Sequence, residues 1–111
     1  MTQIIARTTI ELELEAGVRK RLHIEIHQPE LTEHGSWRCA ARIAGLHDEL
    51  HPVEGEDSVQ ALTLALGLVK RLLQAQRSAG RRLLMADDDD GDDIDFPLDA
   101  YFPSDSQKRA V

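Results

Sequence analysis

At 111 residues the chain has room for one domain at most, and no apolar run approaches the roughly 20 residues that a membrane-spanning helix needs. A single cysteine, Cys39, excludes an internal disulfide framework. The N-terminal MTQIIARTTIELELE alternates instead of forming the continuous apolar stretch of a signal peptide, so a cytoplasmic location is expected. The net charge of −7 argues against the basic patch that gripping phosphates calls for, so nucleic acid is not expected as a partner, and without a spanning run neither is a membrane.

From Ile4 to Glu15 the residues alternate with period two. Ala6, Thr8, Ile10, Leu12 and Leu14 point one way, and Arg7, Thr9, Glu11, Glu13 and Glu15 the other, as in a half-buried strand. Arg19 to His27 repeats the pattern with Leu22, Ile24 and Ile26 inward. A two-residue loop between these strands would set inward residues against outward ones, and a five-residue loop would oppose Glu11 to Glu25. A three-residue loop, Ala16-Gly17-Val18, puts Leu12 opposite Leu22, Ile10 opposite Ile24 and Glu13 opposite Arg21, with Gly17 as the left-handed residue such loops need.

QPELTEHGS (28–36) is a polar connection. Trp37 to Leu46 reads as a third strand with Trp37, Cys39, Ala41 and Ile43 on its apolar face. After a turn at Gly45 to Asp48, a short fourth strand is expected near Glu49 to Glu54. It should lie at an edge, because Pro52 has no N–H to donate.

The stretch GEDSVQALTLALGLVKRLLQAQRSAG (55–80) predicts a helix over 58–78. Asp57 is its N-cap, Gln60 completes a capping-box-like pattern, and Gly80 suits the position just past the end. Polar positions 60, 63, 67, 70, 71, 74, 77 and 78 form one narrow stripe. The remainder, from Val59 to Leu73, is apolar over far more than the ~100° that a surface helix buries. A sheet can cover one side; the other needs the C-terminal segment or a second subunit.

Arg81 to Ala86 can return as a fifth strand. The expected fold is therefore α+β: a four-stranded, mainly antiparallel sheet in ββββα order, with one long helix packed across one face. It forms a single domain over 1–86, followed by a tail over 87–111. Residues 1–86 hold 11 acidic and 11 basic side chains, whereas 87–111 hold nine aspartates against Lys108 and Arg109. The whole surplus of negative charge sits in the tail. Like charges in DDDDGDDID repel and cannot build a core. Three of the chain's four aromatics follow in DFPLDAYFP, and they are expected to dock on the domain or on a partner.

No constellation for chemistry is found. With Gly91 as the sixth residue of an EF-hand loop, position 12 becomes Pro97 and the bidentate glutamate is missing. His23 and His27 share a strand face but lie roughly 13 Å apart, too far to clamp one ion. His47 and His51 have helical ligand spacing, yet Gly45 and Pro52 break any helix there. Cys39 on the apolar face beside Trp37 reads as core and not as an activated thiolate. Trp37 reads as a core anchor, with an interface hot spot as the alternative. Ser58 lacks the G-x-S-x-G elbow, and neither a Gly-rich phosphate loop nor HExxH occurs. No enzymatic activity, cofactor or metal is expected.

The combination of WRC, IAGL, GEDSVQALTLAL and DIDFP resembles a family of small bacterial proteins known as a domain of unknown function. The resemblance spans about residues 4–98 and implies a strand hairpin, a W-x-C strand and a D-S-x-Q-A-L-x-L-A-L helix, without implying an activity. The expected function is a non-enzymatic protein-binding module, in its most concrete form a toxin-neutralising or immunity-type protein whose acidic tail engages a basic partner. The partner-binding residues would be Asp87, Asp88, Asp89, Asp90, Asp92, Asp93, Asp95, Phe96, Tyr101 and Phe102. Trp37, Cys39, Asp57, Gln60 and Gly80 would be structural. The alternative is a homo-oligomeric structural domain, motivated by the wide helix face; a small enzyme or metal protein comes third.

Overall fold

Two alternating runs form the longest strands, β1 (Ile4–Glu15) and β2 (Val18–His27), paired antiparallel. The structure, a computed structural model, describes residues 3–15, 17–86 and 94–102. The hairpin register corrects the expected one by two residues: Ile10 faces Leu22, Thr8 faces Ile24 and Glu13 faces Arg19. The turn is the two-residue kind rejected above, with Glu15 opposite Val18 and Gly17 at φ 82°. A bulge between Glu13 and Glu15 makes it workable. One extra residue on one strand shifts the parity, so inward side chains meet again despite the short loop. Leu14, at the bulge, is consequently 37% exposed instead of inward.

The expected third strand exists but changes sheets at Ala40. Its first half, β4 (Trp37–Cys39), lies between β3 (Glu30–Leu31) and β6 (Val53–Gly55) in a three-stranded sheet. Its second half, β5 (Ala41–Ala44), pairs with β2. Side-chain alternation runs through the break, so Cys39, Ala41 and Ile43 are all buried. The strand expected near Glu49 to Glu54 starts after Pro52 as β6 and joins β4, not the main sheet. The fourth place in the main sheet goes to β7 (Arg82–Met85), the strand expected after the helix, giving the antiparallel order β5-β2-β1-β7.

Helix α1 (Ser58–Ser78) begins at Asp57, whose Oδ1 accepts from the Gln60 N–H at 2.8 Å. The Gln60 side chain reaches back to the Glu56 N–H at 2.6 Å, one residue earlier than the usual capping box. At the other end Gly80 has φ 91°, its N–H bonds the Arg77 carbonyl, and the Arg81 N–H bonds the Gln76 carbonyl. That pair of bonds is a Schellman ending. The helix buries Ala61, Ala65, Val69, Lys70 and Leu73 against a core that includes Ile10, Leu12, Leu22, Ile24, Ile43 and Leu83. Small residues at 61 and 65 let the first two turns lie close to the second sheet. At Gly55, an added Cβ would sit 2.6 Å from the Ala61 nitrogen.

These glycines give predictions of opposite sign. Gly55→Ala forces backbone apart and should cost about 1–3 kcal/mol in urea denaturation. Gly67→Ala should stabilise by about 0.5–1 kcal/mol, because its Cβ would meet only the Arg71 guanidinium at 3.6 Å and glycine is a poor helix former.

Candidate functional site

After β7 the chain returns to the same place that it left. The Met85 N–H donates to the Ile94 carbonyl at 2.7 Å and the Phe96 N–H to the Leu83 carbonyl at 2.9 Å, so residues 94–96 line the outer side of β7. Arg82 and Asp95 join the same two segments at 2.8 Å. The chain then forms the short helix α2 (Leu98–Tyr101) and lays Leu98 and Phe102 into the core beside α1. Phe96 is also buried, with the Tyr101 ring tilted against it at a ring-centroid distance of 4.5 Å.

This segment covers part of α1's wide apolar face, and it explains Lys70. Read from the sequence as part of the polar stripe, Lys70 is only 5% exposed. Its Nζ lies 2.8 Å from Asp99 Oδ1 and has no other acceptor among the described residues. Close contact with Lys70, through hydrogen bonding and then charge, holds the Asp99 carboxyl below the usual aspartate range. Burying an ammonium is tolerable only with such a partner.

The candidates for partner contact therefore divide. Asp87, Asp88, Asp89, Asp90, Asp92 and Asp93 lie outside the described residues. Asp95 is exposed and paired with Arg82, and Tyr101 is 44% exposed. Phe96 and Phe102 are committed to the core of their own domain, at 3% and 5% exposure. Asp57, Gln60 and Gly80 act as helix caps, as expected. Cys39 is buried, its thiol donates toward the His27 carbonyl at 3.3 Å, and desolvation pushes its pKa up, which is the opposite of an activated thiolate. Trp37 packs against the core and shares a shallow depression with Pro29, Val59 and Leu62. His23 bonds Thr9 Oγ1 at 3.0 Å. Among the described residues no three His, Cys, Asp or Glu side chains gather as metal ligands.

The outer face of the main sheet is a lattice of opposite charges. Glu25, buried despite facing outward, sits 3.8 Å from Arg7 and 3.5 Å from Arg42. Glu11 holds Arg21 at 3.3 Å, and Arg42 also reaches Asp48. These arginines are engaged by carboxylates.

On the helix side, an apolar groove of about 230 Å³ opens between β1, α1 and α2, floored by Ala6, Thr8 and Ile26 and walled by Leu66, Tyr101 and Phe102. It borders an open strand edge: β7 pairs with β1 only over residues 10–13, and among the described residues nothing pairs with residues 4–9 on that side. Ile4 and Ile5 stand there 45% and 51% exposed. Neither groove nor edge was foreseen from the sequence. The signal was the shrinking of β1's inward residues, from Leu12 and Ile10 to Thr8 and Ala6, which leaves room above them.

A domain of unknown function, DUF6968, matches residues 6–98. No curated protein and no solved structure matches the chain.

The Lys70–Asp99 pair predicts an asymmetry. Lys70→Met, which keeps the stem and removes the charge, should leave the melting temperature unchanged or raised, whereas Asp99→Asn should lower it by stranding the ammonium. Because the folded Asp99 pKa is depressed, its stabilisation is fully present above the ordinary aspartate pKa and is lost as pH falls through the folded value. Thermal melts of wild type and Asp99→Asn should differ at neutral pH and converge in acid.

Proposed function

We propose a function from one premise: the chain belongs to the DUF6968 family, a domain of unknown function. It acts as a non-enzymatic protein-binding module whose acidic stretch engages a basic protein surface. The observation that carries this reading is where the charge lies. Residues 87–93 hold six aspartates, while the arginines on the outer face of the sheet are already matched by carboxylates. The described residues that flank the stretch meet, with the Met85 N–H donating to the Ile94 carbonyl at 2.7 Å. A concentrated negative field of this kind steers a cationic partner and adds specificity more than raw affinity.

The narrower form, a toxin-neutralising or immunity-type protein in a bacterial cytoplasm, draws its support from the same charge. The aromatics Phe96 and Phe102 no longer add to it, since they are core residues. No helix among the described residues is long and apolar enough to cross a membrane.

Truncating the chain after Ala86 would strip Phe96, Leu98 and Phe102 from the core and confuse unfolding with lost binding. The better test is charge removal alone, in the variant D87N/D88N/D89N/D90N/D92N/D93N. Wild type immobilised in native-cell extract should retain a basic protein that the variant does not. That protein should be released as salt shortens the screening length from about 8 to about 3 Å. Equal retention by both proteins, or retention indifferent to salt, overturns the reading.

A further inference from the structure

We propose that the second sheet and the first turn of α1 form a docking surface for a cationic polypeptide segment, in which a bulky apolar residue lies about three positions from lysine or arginine.

The surface is apolar at its centre. The two most exposed large apolar side chains among the described residues are Val59 at 70% and Leu31 at 60%, and both stand at this end of the domain. Leu31 pairs with Trp37 across β3 and β4, and Trp37 lines an open depression of about 370 Å³ with Pro29, Val59 and Leu62. Single exposed apolar residues are ordinary. A contiguous set around a half-buried tryptophan has the composition of an interface hot spot.

Charge identifies the occupant. Residues 1–86 hold equal numbers of acidic and basic side chains, but the two signs are unevenly spread. The second sheet and its flanking turns, residues 28–39 and 49–57, hold six acids (Glu30, Glu33, Glu49, Glu54, Glu56 and Asp57) against Arg38 alone. Arg38 is taken by Glu30 at 3.2 Å, and Asp57 is spent on capping the helix. Among the described residues no cation pairs with Glu33 or Glu56. Glu56 and Glu54 line a second open depression with Ser36 and Gln60. The first turn of α1 therefore has an apolar hollow on one flank and an acidic one on the other. They are separated by about 10 Å, the width of a helix, which three residues of extended chain span.

A second copy is the poorer occupant. It would have to offer basic residues from a different face, and contacts between unlike faces lead to open filaments and not to a closed dimer. The surface is made of other residues than 87–93 and would serve even if that stretch bound nothing.

The test uses the full chain and the synthetic peptide KRGGFGGRK, read by the emission of Trp37, the chain's one tryptophan, and by the amide shifts of Val59 and Leu62. The peptide should bind with a dissociation constant of about 0.1–1 mM. KRGGGGGRK, which lacks the anchor, and EEGGFGGEE, which reverses the charge, should each bind about tenfold more weakly or worse. Val59→Ser and Leu31→Ser should weaken binding about threefold with an unchanged circular dichroism spectrum. The double variant E33Q/E56Q should do the same and blunt the salt dependence. No response at millimolar peptide overturns the proposal, as does equal binding of either control peptide or full affinity in these variants. Trp37 emission that changes on concentrating the protein alone gives the surface to a second copy and also overturns it. The sixfold aspartate-to-asparagine variant should bind the peptide as wild type does; a loss there moves the contact to residues 87–93 and overturns this one.

Discussion

A helix that is apolar around most of its circumference needs cover on more than one side, and two parts of this molecule supply it, leaving only residues such as Val59 and Leu64 exposed. The sheet takes one side of α1, through Ala61, Ala65, Val69 and Leu73. Residues 94–102 come over the other, bringing Phe96, Leu98 and Phe102. Exposing those three side chains again would return to water most of what they bury, about 1.5–3 kcal/mol for each. The C-terminal segment is thus part of the folding unit, and the family match, which runs to residue 98, ends within it.

The covering segment also alters the chemistry beneath it. Lys70 would be an unremarkable surface residue on a helix packed only against a sheet. Under α2 it becomes a buried cation answered by Asp99. On the opposite face of the sheet the same logic appears without burial pressure from a helix. Glu25 loses solvent because Arg7 and Arg42 lie over it, and its charge is met by theirs. The domain therefore presents a charge-compensated sheet surface on one side and an apolar groove on the other.

How much of this was legible depends on whether a feature is local. The caps of α1 were readable because Asp57, Gln60 and Gly80 act within a few residues of themselves. The parity of the hairpin was readable from alternation, but its register was not. A bulge costs one residue and leaves no compositional mark, and Leu14 looks like any other inward leucine. The exchange of sheets at Ala40 was hidden for a related reason, since the side-chain pattern of Trp37, Cys39, Ala41 and Ile43 is the same whether one partner strand or two receive it. The groove and the open edge arise from strands of unequal length, with β1 at 12 residues and β7 at four, and no single segment encodes that mismatch.

The short-circuit between Met85 and Ile94 has an energetic corollary. Whatever number of residues is inserted between those two positions, the hydrogen bonds that close the insertion, and the core beyond it, stay as they are. Doubling such a span adds only about 0.6 kcal/mol of closure entropy. Closure entropy thus sets little penalty on the length of the connection between these two positions.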